Sequence, residues 1–488
     1  MKKNIIIQTI IILLISLVTI SVVEKVQTQA DIFFSISVGD RIAEYGFEEE
    51  DQLVWHEGLR YIYLRWGFDV IVNAIYDTFG LNGIQFFVVM FSILQMVLYY
   101  FILYGITKKK IFSFICTLLI IPQLSPEFVG RAHLLSFVLF IIEYYCIEKL
   151  IETNKNRYFI ALIILPLLLV NIHASTYPLY FVFYLPYIAE FILAKLKLKT
   201  DSSSKIIIEK RNINKLIVLM ILAVLFGFCS PCGTDAYRYV FSVMGAVSAE
   251  FITEMQPLSL LNEPQVAIAL SLFIGIVAFT KTKVRVVDCF LLLGITLMSL
   301  NTIRYVFFFY LIVTIAIFRV LNDCIDEYNV KLDFINKKLN VLILTFGIVI
   351  ILFSSFNNII INYSEDYIPP KVYPINAAQY ILKNIDLAEM RIYNHFNFGG
   401  YLELLGIPVF LDSRAEMYVQ EFNDTTVLED WWELSAGNES YKKVFNKYDI
   451  THALLYKGEK INLYIQEDPE WDIVYQDDLF MLYERNEK

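Results

Sequence analysis

The chain has 488 residues, 57% of them hydrophobic and 16% aromatic, with a mean hydropathy of +0.55 and a formal net charge of −10. So apolar a composition excludes an ordinary water-soluble fold, and with a net acidic balance no nucleic-acid partner is expected. Long apolar runs continue to about Asn357, and an acidic tail of ordinary soluble character follows them.

Runs of about eighteen or more apolar residues are long enough to cross a bilayer. They predict spans at roughly 4–23, 82–106, 111–125, 133–149, 157–172, 178–195, 214–230, 264–280, 286–301, 304–320 and 339–358. The expectation is about eleven crossings, an odd number. Lys2 and Lys3 precede the first, and every second loop is basic: Lys108-Lys109-Lys110, Lys149 to Arg157, Lys195 to Lys215, Lys281 to Arg285, and Arg319 to Lys338. The loops between carry almost no positive charge, apart from the long first loop, Glu24 to about Leu81, which is mixed but rich in acid. Lys and Arg stay on the cytoplasmic side, so the N-terminus is expected inside and the tail outside. The first run lacks a small-x-small cleavage site before Glu24 and reads as a retained helix. Six cysteines show no metal spacing; Cys229-Ser-Pro-Cys232 is a CxxC at a helix mouth, open to oxidation or simple packing.

Two outer loops are large, about 24–81 and 231–263. In the first, Ile32, Ile36, Gly39 and Ala43 recur at helical spacing and predict a short amphipathic helix on the membrane surface, with Asp31 at its start. Asp31 reads either as a helix N-cap or as a general base facing a lipid-borne substrate, and the two roles are compatible. Glu48-Glu49-Glu50-Asp51 reads as a solvated turn. Arg131 and His133 precede the fourth span, Asn171-Ile-His173 closes the fifth, Glu250 and Glu254 lie on one helical face in the second long loop, and Arg304 opens the tenth span. An arginine at a helix mouth suits a phosphate through its forked donors, or snorkels to lipid headgroups. Glu143, deep in the fourth span, needs a partner, a proton or a cavity.

The tail, 363–488, predicts a soluble α/β domain: a helix over 374–383, strands at 391–394, 408–411 and 451–456, a turn into a helix from Phe398, helices over 425–435 and 441–447, and a closing hairpin over 471–475 and 479–483. Alternating elements favour a mainly parallel sheet, with Asn394, His395, Asp412, Arg414 and Glu416 at strand ends, where ligands bind. The alternative is that Asp412 and Arg414 lock a loop together. Gly399-Gly400 allows close backbone approach but is no nucleotide motif.

These features together resemble a group of bacterial multi-pass proteins of the GT-C type, integral-membrane glycosyltransferases that take sugars from polyprenyl-phosphate donors. The likeness is carried by Asp31 after the first helix, Val38-Gly-Asp-Arg-Ile-Ala-Glu-Tyr-Gly46, Gly130-Arg-Ala-His-Leu-Leu-Ser-Phe137, Asn171-Ile-His173, Pro231-Cys-Gly233, Glu254-Met-Gln-Pro257 and Asn301-Thr-Ile-Arg304. In the tail it is carried by Gly399-Gly-Tyr-Leu402 and by Asp412-Ser-Arg-Ala-Glu-Met-Tyr418, which departs from the group's pattern at Ser413, where glycine is usual. The resemblance implies a helical polytopic domain, 1–360, of GT-C-like fold in a bacterial plasma membrane, with an extracytoplasmic domain, 363–488. It implies an inverting transferase that moves a sugar from a polyprenyl-phosphate donor to an envelope glycan or protein. Asp31 would be the base, Arg131 or Arg304 would hold the lipid phosphate, and His133, His173 and Glu254 would position substrate. Asn394, Gly399, Gly400, Asp412, Arg414 and Tyr418 would form the tail's loop site. No metal-ligand motif is evident, which leaves a divalent metal open. A non-catalytic role in envelope-polymer assembly or transport is the competing reading; the lack of an internal repeat disfavours a transporter.

Overall fold

A computed structural model describes residues 2–196, 205–235, 237–239, 253–329 and 368–486. In chain order its helices begin with α1 (Lys2–Val22), α2 (Ala30–Tyr45), α3 (Trp66–Thr107), α4 (Lys110–Leu124), α5 (His133–Thr153) and α6 (Asn156–Ile172). There follow α7 (Leu179–Val182) and α8 (Leu185–Lys195), then α9 (Asn214–Phe226), α10 (Pro264–Phe279), α11 (Val286–Asn301) and α12 (Thr314–Glu327). Among the described residues, four stretches are long and apolar enough to cross a membrane: Ile5–Thr28, Trp66–Thr107, Ala174–Lys195 and Ile303–Glu327. Shorter apolar helices fill 156–172, 214–226, 264–279 and 286–301. Ten of the expected spans coincide with helices, and the eleventh, 339–358, lies outside the described residues.

The contacts divide the chain into two compact units. One takes the described residues of 1–24, 86–237 and 253–365, and the other those of 25–85, 238–252 and 366–488. In the first, α5, α8, α11 and α12 are joined by a charged network. Arg285 reaches Glu148 at 3.0 Å and Asp288 at 2.6 Å, Arg319 reaches Asp288 at 2.9 Å and Glu148 at 3.2 Å, and Tyr187 donates to Glu148. Two acids meet two guanidiniums, so no net charge is buried there, and removal of any one member would leave a partner uncompensated. The approach to α12 is irregular, with a 3-10 turn at Ile303–Tyr305 and a π-turn at Phe309–Val313.

The second unit is built on the tail and the first long loop together. Its helices are α2, the start of α3, α13 (Ile375–Asn384), α14 (Gly399–Leu404), α15 (Val427–Ala436) and α16 (Tyr441–Lys447). Gly80 has φ 65° and ψ −163°, a conformation that breaks α3 just before its predicted span begins. The sheet contains β1 (Ile392–Asn394), β2 (His452–Tyr456), β3 (Trp471–Gln476) and β4 (Phe480–Arg485), ordered β1-β2-β4-β3. Only β1 and β2 pair in parallel. The expected mainly parallel sheet is therefore mixed, because a short turn joins β3 to β4 and forces them antiparallel.

The strand expected at 408–411 forms only an isolated parallel bridge, Val54 to Val409. Its backbone is satisfied in other ways. Asn394 Nδ2 donates to Leu411 O at 2.8 Å while its Oδ1 accepts from Phe410 N at 2.8 Å, and Trp55 N donates to Val409 O at 3.3 Å. One buried amide thus does the work of a strand neighbour.

The surface helix expected at 30–45 is also corrected: Ile32 to Gly39 of α2 are all buried. Glycines make that packing possible. A Cβ at Gly400 would meet Phe34 N at 3.0 Å, one at Gly39 would meet Asp69 O at 2.3 Å, and one at Gly399 would meet Leu411 O at 2.1 Å. At each of these three places two backbones approach where a side chain would separate them.

Candidate active site

α2 begins at Ala30 with Gln29 as its cap, and no side-chain bond closes the cap. Asp31 is thus a first-turn residue rather than the N-cap. Its place in the first turn puts its carboxylate at the positive end of the helix dipole. Phe34, one turn on at i+3, shares its face of the helix.

The Phe34 ring carries the Arg65 guanidinium at 3.9 Å and the Arg414 guanidinium at 5.7 Å. Arg65 directly precedes α3, and its Nε lies 3.6 Å from Oδ1 of Asp69. Burial opposes the Arg65 charge, but Asp69, Tyr61, Asp31 and Glu416 outweigh it and hold its pKa above the ordinary value. Asp31 and Arg65 belong to the same unit, and their charges attract. Neither Arg65 nor Asp69 belongs to the motifs that stand out in the sequence, although their i, i+4 spacing at a helix start is a legible ion-pair signal.

Behind Phe34 the tail residues pair with one another. Arg414, 1% exposed, donates from Nε to Asp412 at 2.6 Å and from Nη2 to Glu403 at 3.0 Å, and its Nη1 donates to Asp51. Arg414 N also binds Asp412 at 2.6 Å, and Asp412 N donates to the Tyr418 hydroxyl at 3.1 Å. Burial pushes up both carboxyls of the Glu403–Asp412 pair. In Asp412 the Arg414 guanidinium overcomes burial and the pKa ends below its ordinary value, while Glu403 ends well above. One proton shared by the pair, resident on Glu403, fits both directions and gives the otherwise orphaned Glu403 Oε2 a bond to donate. Asn394, Gly399, Gly400, Asp412, Arg414 and Tyr418 are all buried. Their geometry is that of a loop lock. Asp51 corrects the solvated-turn reading of its acidic run, as does Glu48, which binds Arg41 at 2.6 Å; Glu49 and Glu50 are exposed as expected. His395 is held neutral, burial bringing its pKa to about 4.

In the helical unit the motif residues meet at helix ends. Arg131 pairs with Glu254 at 2.9 Å, His133 lies 2.7 Å from Glu127, and the buried His173 shares a 2.8 Å hydrogen bond with Ser136 of the first turn of α5. Ile303 N donates to Gln256 O at 2.8 Å, bringing the Glu254 segment beside the Arg304 turn. Glu250 lies outside the described residues. Next to Arg304, Tyr305 joins Leu179, Val182, Phe183, Ile295, Met298 and Phe308 around a small apolar crevice. Glu143 is 1% exposed, and both its oxygens are without a hydrogen bond among the described residues. Arg131 and Arg304 belong to the helical unit and Asp31 to the other.

No protein-family model matches the chain, and no curated protein matches it. Solved structures do. The apo oligosaccharyltransferase of Archaeoglobus fulgidus aligns with TM-score 0.58 at 11% identity, over 92% of this chain and 69% of its own. The archaeal oligosaccharyltransferase AglB of that organism, in complex with an inhibitory peptide and a dolichol-phosphate, aligns with TM-score 0.52 at 10% identity over the same shares. ArnT of Cupriavidus metallidurans, bound to undecaprenyl phosphate, aligns with TM-score 0.54 at 10% identity, over 99% of this chain and 98% of its own. At such identities the likeness is one of fold: this membrane chain has the fold of GT-C-type, polyprenyl-phosphate-dependent glycosyltransferases.

Proposed function

We propose that the protein is an integral-membrane glycosyltransferase that moves a sugar from a polyprenyl-phosphate donor to an envelope glycan or protein on the outer face of the membrane. The observation that carries the reading is a GT-C-type fold over 92–99% of the chain with a half-buried carboxylate, Asp31, in the first turn of the helix that follows the first span. Fold alone does not assign chemistry, so the proposal rests on Asp31 as its base. The acceptor hydroxyl loses its proton to Asp31, its oxygen bonds to the anomeric carbon, and the bond to the lipid phosphate breaks, inverting that carbon. The phosphate leaves as an anion and needs cationic stabilisation. Arg131 and Arg304 are the proposed phosphate residues, with His133, His173 and Glu254 positioning substrate. Arg131 would exchange its exposed Glu254 partner for the phosphate. The crevice beside Arg304 offers the prenyl chain an apolar surface.

The test is transfer from polyprenyl-phosphate sugars by purified protein. Asp31→Asn is expected to lower the rate about 10²-fold or more while leaving the fold intact. Equal activity in the variant would place the base elsewhere. A wild-type protein inert with every donor tried would favour the non-catalytic reading.

A further inference from the structure

The helix α5 carries a carboxyl that the proposed chemistry does not use. Glu143 stands at the middle of this 21-residue helix, roughly 15 Å from either end at 1.5 Å per residue. It is fully buried, neither of its oxygens has a hydrogen bond among the described residues, and no basic side chain there forms an ion pair with it. The stretches 240–252 and 339–358 contain no Lys, Arg or His that could supply one. The titratable groups that sense its charge are Cys146 of the same helix and Tyr177, Tyr180 and Tyr184. None of them is a cation. The three tyrosine protons are given elsewhere: Tyr177 donates to Ala223 O at 2.5 Å, Tyr180 to Leu162 O at 2.7 Å, and Tyr184 to the Tyr180 hydroxyl at 2.8 Å. A carboxylate with neither counter-ion nor donor is expensive in such surroundings, whereas the undissociated acid is an ordinary polar group. A leucine would fill the place without that cost, so an ionisable residue kept there points to a role.

Positions 136, 140 and 143 fall on one face of α5, and that face is turned to the 173–187 segment. Ser136, two turns before Glu143, shares its 2.8 Å hydrogen bond with His173. Phe140, one turn before, meets Phe183 edge-on at 5.6 Å and Phe308 at 5.1 Å. Phe183 and Phe308 are walls of the apolar crevice. Glu143 therefore shares a helix face with the residues that hold both the crevice wall and the His173 contact.

We propose that Glu143 is a proton-binding site in the membrane interior: it holds its proton at neutral pH, and its protonated form lets α5 pack on the 173–187 segment. When the proton leaves to water, the anion that remains has no donor or cation to solvate it, and the packing opens to admit water. The crevice wall and the His173 contact open with it. The bearing of this on prenyl binding rests on the transferase reading; the proton site does not.

The test follows the proton and the packing separately. Full-length wild type and Glu143→Gln in lipid nanodiscs are compared by infrared difference spectroscopy from about pH 6 to 10, well above the ordinary glutamic acid pKa of about 4.3. At neutral pH the wild type is expected to show the carbonyl stretch of an undissociated acid that Glu143→Gln lacks; Glu403 is common to both and cancels. Packing is read at Cys146, buried one turn beyond Glu143, by alkylation with a membrane-permeant maleimide and peptide mass spectrometry. The amide mimics the acid, so both proteins should protect Cys146 equally while the band is present. Only the wild type should lose that protection as the band disappears at higher pH. Absence of the band at neutral pH overturns the proposal, as does unequal protection while the band persists, or loss of the band with protection unchanged. A band and equal protection that last to the highest pH support it. If Glu143→Gln does not fold, Glu143→Asp, whose acid carbonyl absorbs at a different position, assigns the band, and protection of Cys146 in the wild type is followed against it. Neither readout transfers a sugar, so a protein with this titration that is inert toward every donor would keep the proton site and lose the transferase reading.

Discussion

Single residues in the tail unit carry opposite pH dependences. Glu403 has its folded pKa raised well above its ordinary 4.5, first by burial and then by Asp412. A raised carboxyl contributes its stability below its ordinary pKa and loses it as pH rises through the folded value. Glu403→Gln, a permanent mimic of the protonated acid, should therefore melt higher than wild type at neutral and alkaline pH, and the difference should vanish near pH 4.5. Asp412 runs the other way: against burial, Arg414 brings its pKa below 3.8, so its stabilisation is complete above 3.8 and disappears as pH falls through the lowered value. Asp412→Asn should melt lower than wild type at neutral pH, by the several kcal/mol expected when a buried pair loses one partner, roughly 3–5, and should converge on it in strong acid. Thermal unfolding of the detergent-solubilised protein against pH reads both. Parallel shifts in the two variants would contradict the shared-proton arrangement.

Elements in this unit are positioned by what is missing from them. Gly399 and Gly400 are both helical, so neither is required by its own backbone angles; each is required by a neighbour. Gly400→Ala would press on Phe34 N at 3.0 Å and on Ala30 O at 3.2 Å, displacing the first turn of α2 on which Asp31 rides. Gly399→Ala would meet Leu411 O at 2.1 Å, where backbone has to move. We expect Gly399→Ala to be the more destabilising, by about 1–3 kcal/mol or more, and Gly400→Ala to lose transfer activity out of proportion to its change in melting temperature. Melting and transfer measured side by side check the pair. If Gly400→Ala keeps full activity, α2 does not depend on α14 for its position.

At the scale of the whole molecule, the alternation of basic loops makes a statement about sidedness, with the N-terminus expected in the cytoplasm and the tail outside. Asn438 is exposed and lies on the turn after α15, which makes it a suitable reporter. In a background without Cys229, itself exposed, and Cys232, a cysteine at 438 should react with an impermeant maleimide in intact cells. Reaction only after permeabilisation would invert the topology and put the Asp31 chemistry on the wrong face for an envelope acceptor.

The apolar helices were legible in the sequence because lipid imposes one requirement on every residue of a span, and hydropathy sums it locally. The tail's helices and hairpin were legible for a similar reason, since period and turn residues act within a few positions. Asp31 and the glycine pair could be singled out there too, by type and place. What tertiary structure decided was the company these residues keep. Asp51 looked like one acid in a solvated run, yet it is buried against Arg414, 363 positions away. The 408–411 segment has a strand's composition, but the Asn394 side chain and the 53–55 segment take its backbone bonds. Arg65 and Arg414, far apart along the chain, come together only over the Phe34 ring. Backbone propensity is local and is written along the chain, whereas burial and charge pairing depend on distance in space, which packing alone sets.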